Sequence, residues 1–292
     1  MFEGVSVALV TPFSGGDLDE AALREVVRFV LAQGVAGVFP TGCTGEAGTL
    51  SDGERRRIWE ICLEEAAGKA FVVAGTGTNA TASTIARSRE AAAVGVDGCM
   101  LISPYYNKPG QAGLLAHYRA VADAVDVPLV LYNVPGRTAV NIVPATLAAL
   151  AEHPRIVAVK EASGSLDQAT ETMCLSDLTV LSGDDALTLP MAAAGARGVV
   201  SVVGHVAGRE LAAMLDAHAA GRVQEAAALH RRLYPLMRSL FLESNPGPIK
   251  AALAGLGLVK NELRSPLVPV SAETEREISR RLEAAELTST PV

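Results

Sequence analysis

Eight short runs of β-branched and aliphatic residues recur along the chain at intervals of roughly 20 to 35 residues, and this period constrains the fold more than any other feature. They predict strands at Val5–Val10, Val35–Phe39, Phe71–Ala74, Gly98–Ile102, Pro128–Tyr132, Ile156–Val159, Thr179–Leu181 and Gly198–Val202. Each run is apolar throughout rather than alternating, as in parallel sheets covered on both faces. Helical periodicity fills the gaps. Asp19 is the expected N-cap of a helix over Glu20–Gln33, Ser51 of Asp52–Ala66 and Asn79 of Ala80–Val94, with Gly34 and Gly95 as stops. Eight such units close most economically into an α/β fold, a (β/α)₈ TIM barrel; a doubly wound open sheet is the alternative. About ninety residues follow the eighth run, more than one closing helix needs. Helical patterns at 207–219, 222–241, 247–256 and 273–286 therefore predict a barrel over residues 1–220 carrying the active site. Residues 221–292 would form a C-terminal helical extension packed on it. Aromatics are 4% of a chain that is 49% hydrophobic, so the core must be built from Ala, Val, Leu and Ile.

The formal net charge of −7 argues against nucleic acid or an anionic membrane as partner. No apolar run approaches the roughly 18 residues of a membrane span. The chain enters a strand directly, Phe2 to Val10, with no basic segment or cleavage site ahead of it. Cys43, Cys62, Cys99 and Cys174 are scattered, without CxxC pairs or histidine clusters, which predicts neither a zinc site nor a disulfide framework. Cys62, Cys99 and Cys174 read as small hydrophobes in two helices and a strand. The expectation is a soluble cytoplasmic protein.

Polar residues gather just after the strands, as they should if the C-terminal face of a barrel carries the chemistry. The strongest candidate is Lys160, one of five lysines against twenty arginines, which ends the run Ile156-Val157-Ala158-Val159. An ammonium there is partly desolvated, which lowers its pKa and exposes a free amine able to form a Schiff base with a ketone. Pairing with Glu161, or snorkelling to water, is the structural alternative. Tyr132, ending the preceding strand, faces that lysine and could move protons. Arg137, in a Pro-Gly turn, presents a fork suited to a carboxylate. The lysine-free loop Thr41-Gly42-Cys43-Thr44-Gly45-Glu46 is either an ordinary glycine turn or an anion cradle, which would suit a carboxylate better than a polyphosphate. Gly75-x-Gly77-x-x-Ala80 matches a dinucleotide fingerprint formally. It lacks the acidic residue that should end the next strand and reads as a tight turn.

Taken together these motifs are specific. Gly42-x-Thr44-Gly45-Glu46, Pro104-Tyr105-Tyr106-Asn107, Tyr132-Asn133-Val134-Pro135-x-Arg137-Thr138 and Val159-Lys160-Glu161-Ala162 resemble the dihydrodipicolinate synthase / N-acetylneuraminate lyase family of pyruvate-dependent class I aldolases. Leu181-Ser182-Gly183-Asp184-Asp185 and Asn245-Pro246-x-Pro248-x-Lys250 add to the likeness, which runs from Gly4 to about Arg281. The resemblance implies that Lys160 forms the Schiff base with pyruvate and that Tyr132 assists proton transfer. Tyr106 would reach into a neighbouring subunit's active site, making the protein at least a dimer and, by family habit, a tetramer built as a dimer of dimers. Thr44 would hold the pyruvate carboxylate, with Gly183 and Val200 as further substrate-binding positions. Arg137 would take the carboxylate of the second substrate, a small aldehyde. The implied reaction condenses pyruvate with L-aspartate 4-semialdehyde to 4-hydroxy-tetrahydrodipicolinate, in lysine and diaminopimelate biosynthesis. No metal or organic cofactor is implied, because the lysine imine is itself the electron sink.

Two departures stand out. Synthases of the family usually carry threonine where this chain has Cys43, and that hydroxyl links two tyrosines in a proton relay. A thiol is a weaker donor and acceptor. Cys43 therefore supports an alternative, another aldolase, lyase or dehydratase of a 2-keto acid. In lysine-sensitive members, feedback inhibition uses positions that match Asp52, Arg55, Ser83, Asn79 and Tyr105. Arg55 there would repel a cationic amino acid, and Ser83 supplies no countercharge.

Overall fold

The computed structural model describes residues 1–288. Its centre is a closed barrel of eight parallel strands: Gly4–Val7 (β1), Gly37–Val38 (β2), Phe71–Gly75 (β3), Gly98–Ile102 (β4), Leu129–Asn133 (β5), Ile156–Glu161 (β6), Thr179–Ser182 (β7) and Gly198–Ser201 (β8). β8 returns to pair with β1, which closes the sheet and removes its edges. The open-sheet alternative is thereby excluded. Every expected strand is present, the first two shorter than the apolar runs that predicted them.

Side chains alternate along each strand. Val73, Met100, Val130, Tyr132, Ala158, Leu181 and Val200 fill the barrel interior together with Phe39. Val72, Leu101, Leu129, Leu131, Val159, Val180 and Val199 pack outward against the helices. This alternation decides the site. Lys160 lies on the inward face that Ala158 occupies, and Glu161 on the outward face of Val159.

Helix starts follow local hydrogen bonding. Asp19 accepts from the Ala22 amide at 3.0 Å to cap Glu20–Ala32. Ser51 and Glu54 form a reciprocal capping box on Asp52–Ala66. Asn79 is not a cap. The third helix, Thr81–Val94, begins after Ala80 without a side-chain cap, because the Thr78 and Thr84 hydroxyls bind each other and occupy that turn. Gly75 and Gly77 serve strand packing, as the turn reading required. A Cβ on Gly75 would lie 2.4 Å from the Thr41 carbonyl oxygen, and one on Gly77 2.4 Å from the Ile102 nitrogen.

After the last barrel helix, Gly204–Ala219, come helices Val223–Ser239, Gly247–Gly255 and Ala272–Ala284. The last four positions of the expected extension lie outside the described residues. Among the described residues no helix is long and apolar enough to cross a membrane.

Candidate active site

β5 and β6 pair in register, Tyr132 beside Lys160 and Asn133 beside Glu161. Tyr132 and Lys160 therefore share the barrel interior, and the lysine Nζ lies 4.3 Å from the centre of the tyrosine ring. Glu161 is engaged on the other face. It accepts from Asn133 Nδ2 and Gln168 Nε2, both at 3.0 Å, and from the Ser163 amide at 2.6 Å. The lysine is thus not neutralised by its sequence neighbour. It is 5% exposed, and burial lowers its pKa from 10.5 to about 8, opposed only in part by Cys43 and Asp185. A useful fraction of free amine at neutral pH is the chemical consequence.

Room for that side chain comes from Gly183. A Cβ there would stand 2.7 Å from the Ala162 Cβ and 3.1 Å from both Cγ and Cε of Lys160. Glycine is required because Ala162 first, and the lysine side chain beside it, take the space a side chain would fill. Asp185, two residues on, is buried and accepts from the Ser201 hydroxyl and from the Val202 and Val203 amides. It ties the ends of β7 and β8 together. Burial pushes the Tyr132 phenol well above its ordinary range, and the adjacent Cys43 thiol pushes in the same direction.

A cavity of about 530 Å³ reaches Tyr132 and is lined among others by Gly42, Cys43, Arg137, Thr138 and Asn245. Lys160, Thr44, Gly183 and Val200 are not among its lining residues; Val200 is packed in the interior with Tyr132 and Leu181. Arg137 lies in the short helix Pro135–Thr138 and donates from Nη2 to the Asn245 carbonyl at 3.3 Å. Most of its fork is left for a ligand. Thr44 is buried and accepts from Asn245 Nδ2 at 2.9 Å. Tyr106 does not join the site within one chain. It is 87% exposed on a left-handed backbone, φ 73°, conditions under which a large aromatic side chain needs a purpose. Among the described residues no three His, Cys, Asp or Glu side chains come together as a metal site. Cys62 and Cys99 are buried as expected, but Cys174 is exposed, because it sits near the end of Leu166–Leu175 on its outer side.

The model of the dihydrodipicolinate synthetase family matches residues 1–285. This chain belongs to that family. It is 52% identical over 272 residues to a 4-hydroxy-tetrahydrodipicolinate synthase of Pelobacter propionicus, covering 92% of this chain and 94% of that protein. The crystal structure of dihydrodipicolinate synthase from Thermotoga maritima superposes with a TM-score of 0.97 at 40% identity, over 98% of this chain and 99% of the other. A structure described as the first monomeric dihydrodipicolinate synthase variant reaches 0.96 at 40% identity, over 98% and 97% of the two chains.

Three features of the site escape a reading of the sequence. Glu46, in the glycine-rich loop, forms a buried ion pair with Lys250 of the extension and accepts from the Arg264 amide at 3.0 Å. Lys250 also donates to the Glu262 carbonyl at 2.8 Å and lies over the Phe13 ring. Asn245 reaches both Thr44 and Arg137. Arg87 pairs with Asp52 at 3.3 Å, at the same carboxylate oxygen that Arg55 faces at 3.7 Å. The motif Asn245-Pro246-x-Pro248-x-Lys250 was the available signal for the first two; for Arg87 there was none.

Proposed function

We propose that this protein condenses pyruvate with L-aspartate 4-semialdehyde to give 4-hydroxy-tetrahydrodipicolinate, a step of lysine and diaminopimelate biosynthesis. The observation that carries the reading is the buried Lys160 amine, unpaired by Glu161 and set against Tyr132 in the barrel interior.

In this reading Lys160 Nζ attacks the pyruvate ketone, and loss of water gives an imine. Protonated, it withdraws electrons from the methyl carbon, which loses a proton to give an enamine. The enamine carbon adds to the aldehyde of the second substrate, and that substrate's amine then displaces Lys160 as the ring closes. Tyr132 exchanges protons with these intermediates, since a phenol held neutral by burial can give a proton and take it back. Thr44 holds the pyruvate carboxylate and Arg137 the carboxylate of the aldehyde. Gly183 keeps the space in which the amine swings. Val200 forms the apolar floor beside Tyr132.

Tyr106, exposed and left-handed, completes the site of a second copy, so the active unit is at least a dimer and, by family resemblance, a tetramer. The reaction takes place in the cytoplasm, in keeping with four unpaired cysteines. Cys43 beside Tyr132 is the one feature that favours another 2-keto acid reaction. A coupled assay with pyruvate and aspartate semialdehyde, run beside a panel of sugar-acid and keto-acid substrates, decides between them. Turnover confined to the panel would refute the synthase assignment.

A further inference from the structure

Asn245 stands more than two hundred positions from Thr44 in sequence, yet its Nδ2 donates to the Thr44 hydroxyl oxygen at 2.9 Å. Its backbone carbonyl accepts from Arg137 at 3.3 Å. One residue of the extension therefore touches both groups assigned above to substrate carboxylates. Its own side-chain oxygen is buried and has no hydrogen-bond partner. A buried amide serving the fold alone normally satisfies both ends. Here only the end facing Thr44 is used, and the direction of that bond matters. Because the amide donates to the threonine oxygen, the threonine proton is free to be given to a third group. Among the described residues none accepts it. The opposite amide orientation would consume that proton and leave Thr44 nothing to offer a carboxylate.

Five residues further on, the buried Lys250 holds Glu46, so the segment grips the loop on either side of Gly45. We propose that Asn245 is a positioning residue for pyruvate, acting through Thr44 by keeping its hydroxyl a donor. This rests on the reading of Thr44 given above. The extension is then part of the carboxylate cradle.

The test is the pyruvate KM of Asn245→Ala and Asn245→Asp, measured across pH beside borohydride trapping of the wild type. Asn245→Ala should raise the pyruvate KM roughly three- to tenfold with little change in kcat, as expected for one neutral hydrogen bond that serves binding. Asn245→Asp keeps the volume but accepts the threonine proton and sets a negative charge beside the carboxylate. Its KM should rise further, and should recover as the pH is lowered and the new carboxyl is protonated. A packing defect gives no such recovery. A pyruvate KM within twofold of wild type in both variants, or an aspartate variant no worse than the alanine one at any pH, overturns the assignment. Intact wild-type trapping with either result refutes the role of Asn245 alone; absent trapping in the wild type refutes the functional reading with it.

Discussion

Replacing Lys160 with methionine should stabilise the protein at neutral pH while abolishing imine formation. The folded protein holds this amine at a pKa of about 8 against an ordinary 10.5, with burial as the main cause. At about 1.4 kcal/mol per pKa unit, the protonated lysine costs the folded state about 3 kcal/mol. Methionine matches its length without the charge. Its introduction leaves no orphaned anion, since Asp185 keeps the Ser201 hydroxyl and two backbone amides. The sign can be followed through pH. Below about pH 8 the ammonium is present in both the folded and the unfolded chain, and the penalty is complete. Between about 8 and 10.5 the folded chain releases its proton first, so the penalty shrinks as pH rises. Above that range both states are neutral and the penalty is gone. Urea denaturation of wild type and Lys160→Met at several pH values should therefore show a gain of about 3 kcal/mol near pH 7 that fades towards pH 10.5. A gain independent of pH would mean that the lysine pKa is not depressed, and a loss at pH 7 that its ammonium is stabilised rather than strained.

Other outcomes follow from the same geometry. Arg137→Ala should lower kcat/KM for aspartate semialdehyde by roughly tenfold or more, as for a lost charge-assisted contact, while pyruvate trapping persists; equal loss of trapping would contradict the division of the two carboxylates. Cys43→Thr should raise turnover, because a hydroxyl relays protons beside Tyr132 better than a thiol does; a fall in steady-state rate would show that the thiol is suited to different chemistry. Millimolar L-lysine should inhibit little, because Asp52 is already shared between Arg55 and Arg87 and Ser83 adds no charge. A cooperative inhibition curve in that range would show a rearranged site.

The barrel was legible because its signal is local and repeated. A buried parallel strand must be apolar on both faces, and eight of them in alternation leave few closures. Lys160 and Tyr132 were legible for the same reason, as polar residues at the ends of runs that otherwise bury everything. That Glu161 would not pair with Lys160 follows from strand alternation, although the partners it takes, Asn133 and Gln168, required the register of β5 and β6. Asn79 failed as a cap because the neighbouring hydroxyls of Thr78 and Thr84 satisfy each other in the same turn. Gly183 announced itself as a motif glycine, but its reason, close approach to Ala162 and the lysine side chain, is a contact between segments far apart in sequence. The work of the extension was hidden most deeply. Glu46 and Lys250, like Thr44 and Asn245, meet across more than two hundred positions of sequence, and no periodicity links residues so far apart.

The central claim is that a single buried lysine forms an imine with pyruvate. Incubation with pyruvate and borohydride, followed by peptide mass spectrometry, should find one carboxyethyl group per chain, on Lys160, and none on Lys160→Met. A label on Lys69, Lys108, Lys250 or Lys260 in the native protein, or no label at all, would contradict it.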